Sequence, residues 1–283
     1  MSVIQVGVAD KTGKLDPQLV EATAAAINIQ VIRDLAPIWN VQATVRHLSN
    51  PKSIPPGVWP VFLVAQLPAG EGGVHKDKNN QPFSMVKATP DNNEWTIDAS
   101  HETLEMLVDP AGSRLQTSRA IEVAGNTVRD STGQFEYVVE ACDPCEADDF
   151  AYSIDGIAVS DFITPHFYDP VATAGTRYSF GGNITRPREI LKGGYISFIN
   201  QQSDQIEQIL FLDDAPELRV LGSAANGLTL REFIDSETSA KVAEKRKPNE
   251  KLSKWCKEHR QYIHGASLKR AGLYEPKAAH AAR

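Results

Sequence analysis

The sequence predicts an α/β (α+β) chain: a mixed sheet with one long helix and one short helix rich in ionisable residues, then a β-rich half and a helical basic tail. Three observations carry this expectation. Over the first hundred residues, short apolar runs with strand periodicity surround a single stripe with helical periodicity. Residues 150–235 place Asp-Gly and Gly-Gly turns between short apolar runs. Residues 241–283 hold 12 Lys or Arg against 4 Glu, leaving 17 basic and 32 acidic residues in 1–240. The chain therefore divides into residues 1–150, a β-rich region 151–235 packed on them, and a basic helical tail 236–283.

The elements follow in order. Apolar alternation over residues 3–8 gives a first strand, and Asp16-Pro17 supplies an N-cap and a first-turn proline. Val20, Ala24, Ile27, Val31 and Leu35 recur at steps of three or four and make one apolar stripe, which Pro37 closes. Residues 41–48 alternate as a half-buried strand, and the run 61–65 is β-branched enough for a central one. The Gly-rich stretch 68–80 reads as turns, and residues 83–88 as an edge strand. A helix starts between 92 and 96 and ends at Asp109-Pro110, because a residue before proline resists the helical region. Ile97, Leu104, Leu107 and Val108 give that helix its buried side. Residues 154–163 suggest a hairpin about Asp155-Gly156, and 195–198 a further strand. Two helices follow, at 229–235 and 249–262, separated by the basic run 245–248. The last twenty residues are expected to be loosely ordered.

With 283 residues, 41% hydrophobic and 23% charged, the composition is that of a globular protein. No run approaches 18 apolar residues, so no membrane span is expected. The N-terminus has no basic region followed by a long apolar run, so the expected location is cytoplasmic by default, with export by a signal-independent route left open. Three cysteines, Cys142, Cys145 and Cys256, make no disulfide framework and suit a reducing compartment. The tail, about +8, could meet an acidic partner, whether nucleic acid, lipid or the acidic body of its own chain; a solvated helix is the plainer alternative.

Residues 100–110 carry the chemistry. His101 is followed at once by Glu102 and four residues on by Glu105, which places His101 and Glu105 on one helical face. This H-E-x-x-E segment resembles the H-E-x-x-H helix of the zincin metallopeptidases, in which two histidines one turn apart bind zinc and the glutamate between them is the general base. The order strand, long helix, two strands, edge strand and His-Glu helix over residues 1–110 also resembles the N-terminal half of that superfamily. The resemblance implies a zincin-like metal-binding region over 1–150, one Zn2+, a peptide or protein substrate, and an edge strand at 83–88 pairing with substrate backbone. It implies Glu102 as catalytic base and His101 and Glu105 as ligands, with a carboxylate oxygen replacing the second imidazole.

A third ligand is sought in the dense acidic cluster downstream. Glu140 is the first choice, with Asp143 and Glu146 next as ligands or as acceptors orienting the His101 ring, and Asp109 as a further candidate. His75, His166, Tyr168 and Tyr195 are candidates for contacting substrate or an oxyanion, because each can donate a hydrogen bond. The expected function is metal-dependent hydrolysis of a peptide bond. The alternative is a non-catalytic structural or assembly protein, of a phage-related kind, on the same scaffold. Cys142-x-x-Cys145 reads as buried structural thiols, and Asp155, Asp161 and Asp169 as turn and capping residues.

Overall fold

The computed structural model describes residues 3–67, 72–223 and 228–270. The chain is mixed α/β. Ile4–Asp10 (β1) lies at the heart of a five-stranded sheet, and its inner residues Val6 and Val8 are fully buried. Pro17–Ile29 (α1) starts where the Asp16 side chain accepts the Gln18 N–H, as the cap pattern predicts. The helix continues through a π-helical turn, Gln30–Leu35, into the single turn Ala36–Trp39 (α2), which ends at Asn40 in the left-handed conformation. Its predicted stripe Val20, Ala24, Ile27, Val31 and Leu35 is buried throughout.

Ala43–His47 (β2) and Val58–Val64 (β3) pair parallel with β1 on either side. Gly73–Asp77 (β4) and Pro82–Lys87 (β5) complete the sheet in the order β2-β1-β3-β5-β4. Here the expectation of an edge strand at 83–88 is corrected. β5 is an interior strand, parallel to β3, and the edge is β4, which runs antiparallel to β5 through the stretch read as turns. Residues 68–71 of that stretch lie outside the described residues.

Trp95–Val108 (α3) packs against β5 and β4, and every one of its residues except Asp98 is buried. A second five-stranded sheet is antiparallel throughout, in the order β12-β11-β10-β7-β6. Its strands are Leu115–Ala124 (β6), Thr127–Val138 (β7), Tyr195–Asn200 (β10), Gln205–Leu210 (β11) and Glu217–Gly222 (β12). Between β7 and β10 comes the small hairpin Tyr152–Ile154 (β8) and Ile157–Val159 (β9), whose turn puts Asp155 and Gly156 at positive φ, as Asp-Gly predicts. The second half is thus β-rich. One continuous apolar cluster, from Val6 and Val61 through Leu104 to Phe198 and Ile209, joins the two large sheets.

Leu230–Lys245 (α4) opens with a capping box between Thr229 and Glu232 and packs Phe233 and Ile234 on Tyr195, Ile206 and Leu210. Glu250–Arg270 (α5) sets Leu252 and Cys256 against Ile97 and Ala158. Residues 264–270 of the expected loose end are therefore helical, and 271–283 lie outside the described residues. No described helix is long and apolar enough to cross a membrane. All three cysteines are free and buried.

Candidate metal centre

α3 is bolted in place before its ionisable residues are reached. Thr96 Oγ1 donates to the Ala158 carbonyl at 2.9 Å, and Ser100 Oγ donates to Gln30 Oε1 at 2.8 Å while accepting the Ser160 N–H at 3.0 Å. Gln30 belongs to the π-helical turn, so that irregularity fixes the helix one residue before His101. His101, Glu102 and Glu105 are then 8%, 4% and 0% exposed, a degree of burial that ionisable side chains tolerate only with partners.

The two carboxylates beside His101 each give one oxygen to a backbone or guanidinium donor and turn the other toward the imidazole. Glu105 Oε1 accepts the Cys142 N–H at 3.0 Å, while Oε2 stands 3.3 Å from His101 Nε2. Asp143 Oδ2 accepts Arg231 Nη1 at 2.9 Å, while Oδ1 stands 3.2 Å from His101 Nε2. Asp143 Oδ1 has no hydrogen-bond partner, and Glu105 Oε2 is also ion-paired with Arg231 Nη2 at 3.0 Å. Two ligand atoms about 2.0–2.1 Å from a tetrahedral ion are roughly 3.3–3.4 Å apart, so the observed spacings fit a zinc-sized ion among His101, Glu105 and Asp143. One ligand atom from each of the three residues lies within 4.8 Å of the other two.

Glu102 faces the other way, toward β4. His75 Nδ1 lies 3.5 Å from Glu102 Oε2 and 3.7 Å from Glu105 Oε2, and His75, Glu102 and Glu105 form a second group able to hold an ion. Gly73 makes this approach possible: a Cβ there would lie 2.6 Å from Glu102 Cγ and Oε1. His75 is thus no surface residue of a loop but a fully buried one, 1% exposed.

Arg231, 3% exposed at the start of α4, reaches into the same cluster. Its Nη2 is 3.0 Å from Glu105 Oε2, its Nη1 contacts Glu140 and Asp143, and its Nε is 2.9 Å from Asp235 Oδ1. Burial opposes charge on every group here, and the neighbours decide the outcome. Burial raises Glu105, but Arg231 and His101 outweigh it and hold the carboxyl well below the usual range. Burial lowers His101, but Glu105 and Asp143 push it well above an ordinary histidine. His75 is likewise raised, with Glu102 overcoming burial. Glu140 and Glu146 are raised by burial and by the surrounding carboxylates, and Asp235 is raised by burial to about 7 despite its guanidinium partner.

Several expected site residues are placed elsewhere. Glu140 does not join His101; it is turned to Arg231, and Asp143 takes the position given to it. Asp109 is a capping residue: its Oδ2 accepts the Arg114 N–H at 2.7 Å at the end of α3. His166 is exposed and pairs with Asp169, 2.9 Å away, far from the cluster in role and surroundings. Tyr168 is buried, with its carbonyl accepting Ser118 Oγ, and does not line the cleft. Glu146 and Tyr195 do line it. Arg231 and Asp235 escaped the sequence reading, although an arginine in the first turn of a helix, against the helix dipole, is itself a signal of an outside anion.

The cluster opens into a cleft of about 300 Å³. Gly72, Gly73, His101, Glu102 and Tyr195 line it, together with Asp235, Ser239 and Val242 of α4. Comparison of the chain with protein-family models, curated proteins and solved structures gave no match.

Proposed function

We propose that the chain is a metal-dependent hydrolase, a zincin-like metallopeptidase in which His101, Glu105 and Asp143 hold a zinc ion and Glu102 is the general base. The single observation behind this is the convergence of two carboxylate oxygens, Glu105 Oε2 and Asp143 Oδ1, on His101 Nε2, at 3.3 and 3.2 Å. Zinc bound there would polarise a carbonyl and acidify water. Glu102, lining the cleft beside these ligands, takes the proton of the attacking water on its carboxylate and passes it to the leaving nitrogen. Burial of Glu102 keeps bulk water from competing for that proton. β4 is an edge strand and its Gly73 lines the cleft, which suits an extended peptide lying there.

One observation favours a second reading. Arg231 Nη2 lies 3.0 Å from Glu105 Oε2, so a guanidinium already supplies positive charge where the ion would sit. On that reading the chain is a non-catalytic scaffold whose acidic cluster is neutralised internally. Elemental analysis of the purified chain, with peptide hydrolysis by wild type and Glu102→Gln, separates the two. Bound zinc and hydrolysis lost in Glu102→Gln support the hydrolase; a folded chain that takes up no metal at any concentration excludes it.

A further inference from the structure

We propose that His75, Glu102 and Glu105 form a second cation site beside the first and share Glu105 with it, so that the chain takes up two zinc-class ions of unlike role. This rests on the first site being the metal centre argued above. His75 is the residue that the single-ion arrangement leaves unexplained. It projects from β4 with 1% exposure, and neither ring nitrogen has a hydrogen-bond partner. A buried polar atom left without a partner destabilises the folded chain. Its Nδ1 stands 3.5 Å from Glu102 Oε2 and 3.7 Å from Glu105 Oε2, too far to bond to either but close to the spacing of ligands around one ion. Glu102 Oε2 is orphaned as well, and Glu105 Oε2 meets the Arg231 guanidinium at 3.0 Å. Two buried atoms without a hydrogen-bond partner, His75 Nδ1 and Glu102 Oε2, thus face a third ligand oxygen.

Carboxylates are in excess here as well: Arg231 meets Glu105, Glu140, Asp143 and Asp235, and Glu102 has only His75 as an ion-pair partner among the described residues. An imidazole with two carboxylates suits zinc or manganese rather than calcium or magnesium, which prefer oxygen and water. Glu102 lines the cleft and gives the ion an entry path. Because this site uses the carboxylate that serves as base for the first, a filled second site and proton abstraction exclude each other. The second site is therefore inhibitory.

The test is zinc stoichiometry of the full chain by equilibrium dialysis and elemental analysis, in wild type and His75→Gln. Two ions in wild type and one in His75→Gln are expected. One ion in both proteins, with affinity changed less than about threefold, overturns the second site and leaves the first standing. Two ions in both, or a single ion that His75→Gln abolishes, overturns the shared arrangement. No ion in either overturns this proposal and the hydrolase together. If His75→Gln does not fold, wild type loaded with Mn2+ decides by electron paramagnetic resonance: an exchange-coupled multiline spectrum is expected, and only the six-line spectrum of isolated ions overturns the proposal.

Discussion

Position decides which carboxylate can share an ion with His101. Asp143 brings Oδ1 to 3.2 Å from the imidazole while Arg231 holds Oδ2; Glu140 is turned to the guanidinium instead. Asp143→Asn is therefore expected to weaken zinc binding at least tenfold in a calorimetric titration, on the order of the loss for a displaced metal partner, whereas Glu140→Gln stays within about threefold. The reverse ranking would return the third ligand to Glu140. Asp235 gives a pH prediction at the same scale. Its folded value of about 7 exceeds the ordinary 3.8, so the fold binds its proton more tightly than the unfolded chain does. The stability it contributes is fully present below 3.8 and is lost as pH rises to about 7. Asp235→Asn removes that loss. Thermal melts of the metal-free chain should rise by several degrees at pH 8, for a gain of about 1–3 kcal/mol, and by less at pH 5. An equal or lower melting point at pH 8 would mean that Asp235 is worth more as a partner of Arg231 than it costs as a buried charge.

At the scale of elements, the site is the contact of α3 with the edge strand β4. Gly73 sets that contact, since a side chain there would occupy the space of Glu102. Gly73→Ala should fold, at a cost of about 1–3 kcal/mol for overpacking, keep zinc at His101, and lose at least a hundredfold in peptide hydrolysis by displacing Glu102. Unchanged hydrolysis would remove Glu102 from the reaction. If His75 and Glu102 take a second ion, hydrolysis should rise with the first equivalent of zinc and fall with the second, and the fall should vanish in His75→Gln. α3 was legible in the sequence because its apolar residues Ile97, Leu104, Leu107 and Val108 fall on one helical face and Asp109-Pro110 ends it. β4 was not, because glycines and charges in residues 70–80 hide a strand in which only Val74 and His75 are buried, one on each face. The β6-β7 ribbon went unseen for a related reason: most of its residues are solvated, so it lacks the apolar alternation that betrays a half-buried strand. His101, Glu102 and Glu105 could be found because they are neighbours in sequence; His75, Asp143 and Arg231 meet them only through the sheet edge, a 3-10 turn and the start of α4.

Across the whole molecule, the charge asymmetry of the sequence becomes an internal clamp. The basic tail meets the acidic body: Arg246 joins Asp98 and Asp148 at 2.7 Å each, Lys245 meets Asp213 at 2.8 Å, and Arg260 donates to the Gly156 carbonyl. Arg231, just upstream, does the same at the centre of the site. Its removal should expose how much of the fold depends on positive charge there. Arg231→Met keeps the length of the side chain and leaves Glu105, Glu140, Asp143 and Asp235 without their counter-ion, which should cost the metal-free chain about 3–5 kcal/mol. Zinc supplies the missing charge at the same cluster, so it should raise the melting temperature of Arg231→Met more than that of wild type, as binding to the folded state requires. That larger shift would identify guanidinium and metal as parallel sources of one necessity, the neutralisation of buried carboxylates. A variant that melts low and gains nothing from zinc would assign the whole task to Arg231, and with it the chain to the non-catalytic scaffold.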